Sequence, residues 1–177
     1  MQQGYPIIYM DESGFESETI RPYGYSPIGK PCIDSYNWQA KKRTNVIGAL
    51  YEKMLFALDY FEQNINGNIF YDWSKFKLIL SLKTKCVIVM DMSEDKAKHC
   101  FARAKAESCA RMIRFHKHIQ KTLNRHGHRI LWLPPYSPDL NPIEKKWAQA
   151  KFLRQGWMEN NLPKLFHNMG CTNFIVD

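Results

Sequence analysis

The chain has 177 residues, 45% of them hydrophobic, and a formal net charge of +8; this is enough apolar chain for one domain with a real core, which excludes a disordered protein. No secretory signal opens the sequence, no apolar run is long enough to span a bilayer, and the five cysteines form no C-x-x-C pair, so the expectation is a cytoplasmic protein with free thiols and no membrane partner. The basic excess is uneven. Residues 1–90 carry 10 Lys/Arg against 9 Asp/Glu, and residues 91–177 carry 15 against 8, which places a surface for a polyanion, nucleic acid above all, in the second half.

In chain order, Tyr5–Met10 (YPIIYM) is a short apolar run that reads as a buried strand, followed by a turn-like Asp-Glu-Ser-Gly at 11–14. Phe15–Ile20 suits a second strand, and residues 21–44, with three prolines and the basic Lys41-Lys42-Arg43, a loop. Asn45–Leu50 and Lys53–Tyr60 predict two more strands. Asn66–Leu82 carries Ile69, Phe70, Trp73, Phe76 and Leu80 at helical spacing. Cys86–Met90 (CVIVM) is continuous and β-branched, as expected of a central strand covered on both faces. Met92–Arg114, Ala-rich and charged without Gly or Pro, predicts a helix that His116–Arg125 continues or follows. Arg129–Leu133 (RILWL) predicts a strand, Pro134–Leu140 a proline-rich loop, Asn141 to about Arg154 a helix, and about Leu162 to Met169 a last helix. Strands first and a β–α–β–α alternation after them indicate an α/β fold with a mixed sheet flanked by helices.

Three acids stand out by position. Asp11 follows PIIYM and Asp91 follows CVIVM. If those strands are neighbours, the two carboxylates lie side by side and repel unless cations sit between them. Two Mg²⁺ ions roughly 3.5–4 Å apart would relieve that repulsion and clamp both oxygens of a phosphodiester displacement, and hard oxygen ligands suit Mg²⁺ or Mn²⁺. An Asp at a strand end also begins turns, and that alternative stays open for each of them. For Glu144 the alternative is capping: Asn141 suits the N-cap, Pro142 the first helical position and Glu144 the third, where it can close a capping box. An acid in a first helical turn is held rigidly, which a metal ligand also requires.

The stretch LPPYSPDLNPIEKKW (Leu133–Trp147) resembles the C-terminal motif of DDE transposases in the bacterial insertion-sequence branch of the Tc/mariner superfamily. IIYMDESGF (Ile7–Phe15) resembles that family's first-carboxylate motif, and NVIGAL (Asn45–Leu50) and VIVMD (Val87–Asp91) its next two core strands. The resemblance runs from about Pro6 to Leu165. It implies an RNase H-like catalytic domain that cleaves and transfers DNA strands with Mg²⁺ or Mn²⁺, the partners being the element's ends and target DNA. It matches Asp11, Asp91 and Glu144 to the family's first, second and third metal-binding acids. Lys145, Lys146 and Lys151, just past Glu144, are then candidates to meet phosphates; a solvated helix face is their other reading. A homodimer, or a partner chain carrying a helix-turn-helix, would complete the assembly.

The sequence departs from the family in two places. The family follows its second acid with Asn and a short link to Phe-His; here Asp91 is followed by Met92, and the matching Phe115-His116 comes 24 positions after Asp91. About twenty residues within Met92–Arg114 therefore read as an insertion. The chain also begins almost at the first core strand, so the family's N-terminal helix-turn-helix, which recognises element ends, is expected to be absent. Two readings follow: an active catalytic subunit, or an impaired remnant that only binds DNA or a full-length transposase. A zinc site from His99, Cys100, Cys109, His116 and His118 is disfavoured, because their spacing matches no finger.

Overall fold

The computed structural model describes residues 4–16, 24–33, 43–91, 117–134, 137–157 and 159–171. Its sheet has five strands: β1 (Ile7–Glu16), β2 (Arg43–Tyr51), β3 (Met54–Phe61), β4 (Val87–Asp91) and β5 (Arg129–Leu133), ordered β3-β2-β1-β4-β5. β1, β2 and β3 are antiparallel neighbours, and β4 and β5 run parallel to β1. The VIVMD run lies centrally, as its composition predicts: Ile88, Val89 and Met90 are all buried although they alternate between the two faces.

Side chains alternate along β1, and each face has its own core. Ile8 and Met10 join Ile47, Ala49, Ile88 and Met90 on one side, under α1 (Gly67–Trp73) and the helix at 117–125, here α2. Phe15 joins Val46, Leu50 and Leu55 on the other, under α3 (Pro142–Trp157) and α4 (Leu162–Asn168). α3 buries Ile143, Trp147, Ala150 and Arg154, one stripe at helical spacing. The buried Arg154 ties three pieces together. Its Nη1 donates to the carbonyl of Glu16 at the end of β1, and its Nε to the carbonyl of Glu159 ahead of α4 (3.3 Å).

One element differs from the sequence reading. α1, capped by Asn66 Oδ1 on the Ile69 amide (3.0 Å), runs on through a π turn (Ser74–Leu78) into Ile79–Ser81. A π turn inserts an extra residue into the helical repeat and rotates the apolar stripe. Leu78 and Ile79 are therefore buried, whereas Phe76 and Leu80, expected inside, are exposed. The predicted helix over Met92–Arg114 lies outside the described residues, as does His116.

The hairpin between β2 and β3 closes on the pair Tyr51 and Met54, leaving Glu52 and Lys53 as its turn. Glu52 sits at φ 53°, in the left-handed region that a side chain disfavours. Glu52→Gly is expected to raise stability by about 0.5–1 kcal/mol, the relieved strain exceeding the added freedom of the unfolded chain. Urea unfolding of both proteins measures it; an unchanged or lower midpoint contradicts the strain.

Candidate active site

β1 and β4 are parallel and in register, with Tyr9 opposite Val89 and Met10 opposite Met90. The next residues are Asp11 and Asp91, so the two acids occupy the same level of neighbouring strands. Asp91 closes β4, as expected, and its backbone pairs with Leu133 of β5. Asp11 does not close β1. The strand continues through the Asp-Glu-Ser-Gly that its composition marks as a turn, and pairs Asp11 with Gly48, Ser13 with Val46 and Gly14 with Asn45. Pairing along the whole length of β2 overrides the local turn preference. The first carboxylate thus stands on a backbone paired to β2, one residue past the last pair with β4.

Glu144 arrives from the opposite direction in sequence. A short 3₁₀ turn (Pro138–Leu140) leads to Asn141, and Pro142 opens α3 at its first position. Glu144 is in the first turn, as the sequence predicts, and its amide donates to the Asn141 carbonyl (3.1 Å). The side-chain half of the expected capping box is not made: Asn141 is buried, yet its Oδ1 has no hydrogen-bond partner. Glu144 is exposed beside the sheet rather than spent on the cap.

Asp11 and Glu144 meet electrostatically. The Asp11 carboxyl is pushed up from its ordinary range to about 7, first by desolvation and next by the negative charge of Glu144. The Glu12 amide and the Trp147 indole, which donate hydrogen bonds to it, pull the other way. Trp147 Nε1 donates to Asp11 Oδ2 at 3.2 Å, joining α3 to β1 across 136 positions of chain. Neither Trp147 nor Gly48 was a candidate on sequence grounds. The available signal was the position of Trp147, three residues after Glu144 and hence on the same side of one helical turn. Gly48 has a direct steric reason to be glycine: a Cβ there would meet Leu58 Cδ2 at 2.6 Å and Trp147 Cη2 at 3.1 Å.

The three candidate lysines do not share a face. Lys145 points away from the buried stripe into solvent. Lys146 hydrogen-bonds to Gln149 (3.3 Å) and lies near Cys171, on the α4 side. Lys151 is exposed on the flank that carries Glu144, about two turns further on, with Nζ 5.6 Å from the centre of the Phe15 ring. Among the described residues no group of three or more His, Cys, Asp or Glu converges as a metal cluster; the Asp91 side chain lies outside that description. His118, the described histidine of the disfavoured zinc set, packs against the Tyr71 ring at 4.6 Å. At the far end of the parallel strands a buried Cys86 sits 3.2 Å from His128 Nδ1. Burial pushes the thiol up to about 12 and the imidazole below its usual range, so both are neutral and structural.

Residues 6–160 match the family model described as DDE superfamily endonuclease. An uncharacterised protein of Sinorhizobium fredii, y4pE/y4sA, is 36% identical over 53 residues, which is 27% of this chain and 37% of that one. Among solved structures, the Mos1 transposase paired-end complex with left transposon end aligns with a TM-score of 0.56 at 15% identity, over 85% of this chain and 42% of the other. The Mos1 strand transfer complex gives 0.55 at 15% identity, over 94% and 51%. The chain thus spans about half or less of the length of the proteins it resembles. The matched family model makes this chain a member of the DDE superfamily of endonucleases, and its five-stranded sheet with helices on both faces has the RNase H-like fold seen in the Mos1 transposase structures.

Proposed function

We propose that the chain carries out divalent-metal-dependent cleavage and transfer of DNA strands in transposition, with Asp11, Asp91 and Glu144 as the ligand set. The observation that carries this reading is that the parallel register of β1 and β4 sets Asp11 and Asp91 at one level, where burial and the negative charge of Glu144 raise the Asp11 carboxyl to about 7. Such a pair is costly without a cation, and an all-oxygen donor set fits Mg²⁺ or Mn²⁺. The residues therefore fit the metal. Bound there, it would supply Lewis-acid activation of water and neutralise charge developing on the phosphodiester.

The chain's own contribution is placement. β1 holds Asp11 opposite Gly48 of β2, β4 brings Asp91 to the same level, and the proline-led start of α3 holds Glu144 within electrostatic reach of Asp11. Lys151, on the flank that carries Glu144, suits a phosphate of the substrate better than Lys145 or Lys146. Mos1 complexes with Mn and with Mg have been crystallised, which agrees with a divalent ion. No helix of the described residues is long and apolar enough to cross a membrane.

The test is nicking of supercoiled DNA in Mg²⁺ or Mn²⁺ against chelator, with and without a helix-turn-helix partner supplied in trans. Metal-dependent nicks support the reading. DNA binding with no nicks under any metal supports the impaired remnant instead. Binding itself is expected to be salt-steep, because the second half of the chain carries the basic excess. The logarithm of affinity should fall linearly with the logarithm of salt as counterions are released. A flat salt dependence in fluorescence anisotropy would remove the electrostatic account.

A further inference from the structure

We propose that Trp147 is a positioning residue for this site: its indole N–H fixes which way the Asp11 carboxylate faces, and its ring locks the start of α3 to β1. The inference rests on the reading of Asp11 as a metal ligand.

An Asp on a strand has a short side chain, and its terminal torsion is broad and soft. Something must hold it if both oxygens are to keep their directions. The indole is a donor only, so it pairs with one carboxylate oxygen, Oδ2, and shares the task of holding the group with the Glu12 amide. The donor is itself immobile. Trp147 is 1% exposed and meets Phe15 (6.4 Å, 81°) and Phe166 (6.0 Å, 88°) edge to face. Underneath it lies Gly48, the residue opposite Asp11 on β2, whose missing Cβ leaves room for the ring to settle on the sheet. Because Trp147 and Glu144 share one helical turn, the contact that orients the first acid also sets the distance of the third.

Partners that hold a ligand's orientation typically contribute about 10–100-fold in metal affinity. The clean test replaces the Trp147 indole by benzothiophene, through 3-benzothienylalanine at that position. Sulfur then stands where N–H stood, and shape and packing are kept. Metal-free thermal stability should stay near wild type, while Mn²⁺ affinity by calorimetry weakens about tenfold. In the cleavage assay kcat should fall with KM for DNA unchanged, and higher metal should recover part of the rate. Gly48→Ala should weaken Mn²⁺ binding in the same direction, since it displaces the ring without touching a carboxylate. Wild-type Mn²⁺ affinity in the benzothienyl protein overturns the proposal.

Asp11→Ala run in parallel separates the two ideas. If it leaves Mn²⁺ affinity intact, the ligand assignment itself is wrong; if it abolishes binding while the benzothienyl protein binds normally, only the positioning role is wrong. Should the analogue fold poorly, the indole N–H resonance of Trp147, assigned by its loss in Trp147→Phe, gives the answer. It should move upfield in Asp11→Ala, and an unmoved resonance overturns the proposal.

Discussion

Asp11→Asn is expected to abolish metal-dependent cleavage and at the same time to stabilise the metal-free protein at alkaline pH. The amide keeps an oxygen to accept from the Trp147 indole (3.2 Å in the wild type) but loses the charge. The loss of cleavage follows from removing one ligand of the proposed site. Several kcal/mol of transition-state stabilisation depend on such a ligand, which corresponds to about three orders of magnitude in rate. The stability change follows from linkage. The folded Asp11 carboxyl titrates near 7 against an ordinary 3.8, so between those values the folded protein holds a proton that the unfolded chain has released. Stability from this group is then complete at low pH and is lost as pH rises towards 7. From pH 5 to pH 8 the wild type should lose up to about 3 kcal/mol relative to Asp11→Asn. Mg²⁺ at about a hundred times its dissociation constant should return roughly 2.7 kcal/mol to the wild type and nothing to the variant. Urea unfolding of both proteins at pH 5 and pH 8, with and without Mg²⁺, measures each part. Parallel behaviour of the two proteins throughout would take Asp11 out of the metal site.

Most of the sheet was legible because its strands are short runs rich in apolar residues. β5 matches its expected bounds, and β2, β3 and β4 differ by a residue or two. What the sequence hid were matters of long-range pairing. Asp11 looked like a strand end because Asp-Glu-Ser-Gly is turn chemistry, and only the nine paired positions of β2 carry β1 past it. Phe76 and Leu80 fit an ideal helical period, but Ser74–Leu78 is a π turn and the phase shifts behind it. The acids could be proposed singly from their strand and helix positions. Gly48 and Trp147 could not, since each has a role only when β2, β1 and α3 are assembled. Asn141 was placed correctly as the residue before α3, yet its side chain does not cap, which no local pattern could reveal.

Replacing Met92–Arg114 by a three-residue Asn-Ala-Ser link is expected to leave a folded protein that cleaves DNA faster. The fold supplies the reason that the replacement can close. β4 ends at Asp91 and β5, parallel to it, begins at Arg129, so the chain between them is a crossover whose helix is α2, residues 117–125. A parallel crossover needs about 10–12 residues including its helix. Residues 115–128 already number fourteen and contain the described part of α2, residues 117–125, so the link adds enough chain to complete the return. The buried contacts of α2, Ile119 and Leu123 against the Ile88 and Met90 side of the sheet, are untouched by the replacement. Thermal stability should therefore hold or rise, as the closed loop is shorter. The rate should rise because Asp91 stands directly before the replaced segment. Met92 offers no polar side chain to hold the turn, whereas Asn can hydrogen-bond locally. A carboxylate misplaced by about 1 Å can cost on the order of a hundredfold in rate, and this sets the upper limit of the expected gain. The comparison is single-turnover, Mg²⁺-dependent cleavage by both chains, each joined to the same end-recognition domain. Equal rates would make the extra residues a neutral surface addition and leave the unmodified chain a competent enzyme, and slower cleavage by the shortened chain would mean that residues 92–114 help to build the site.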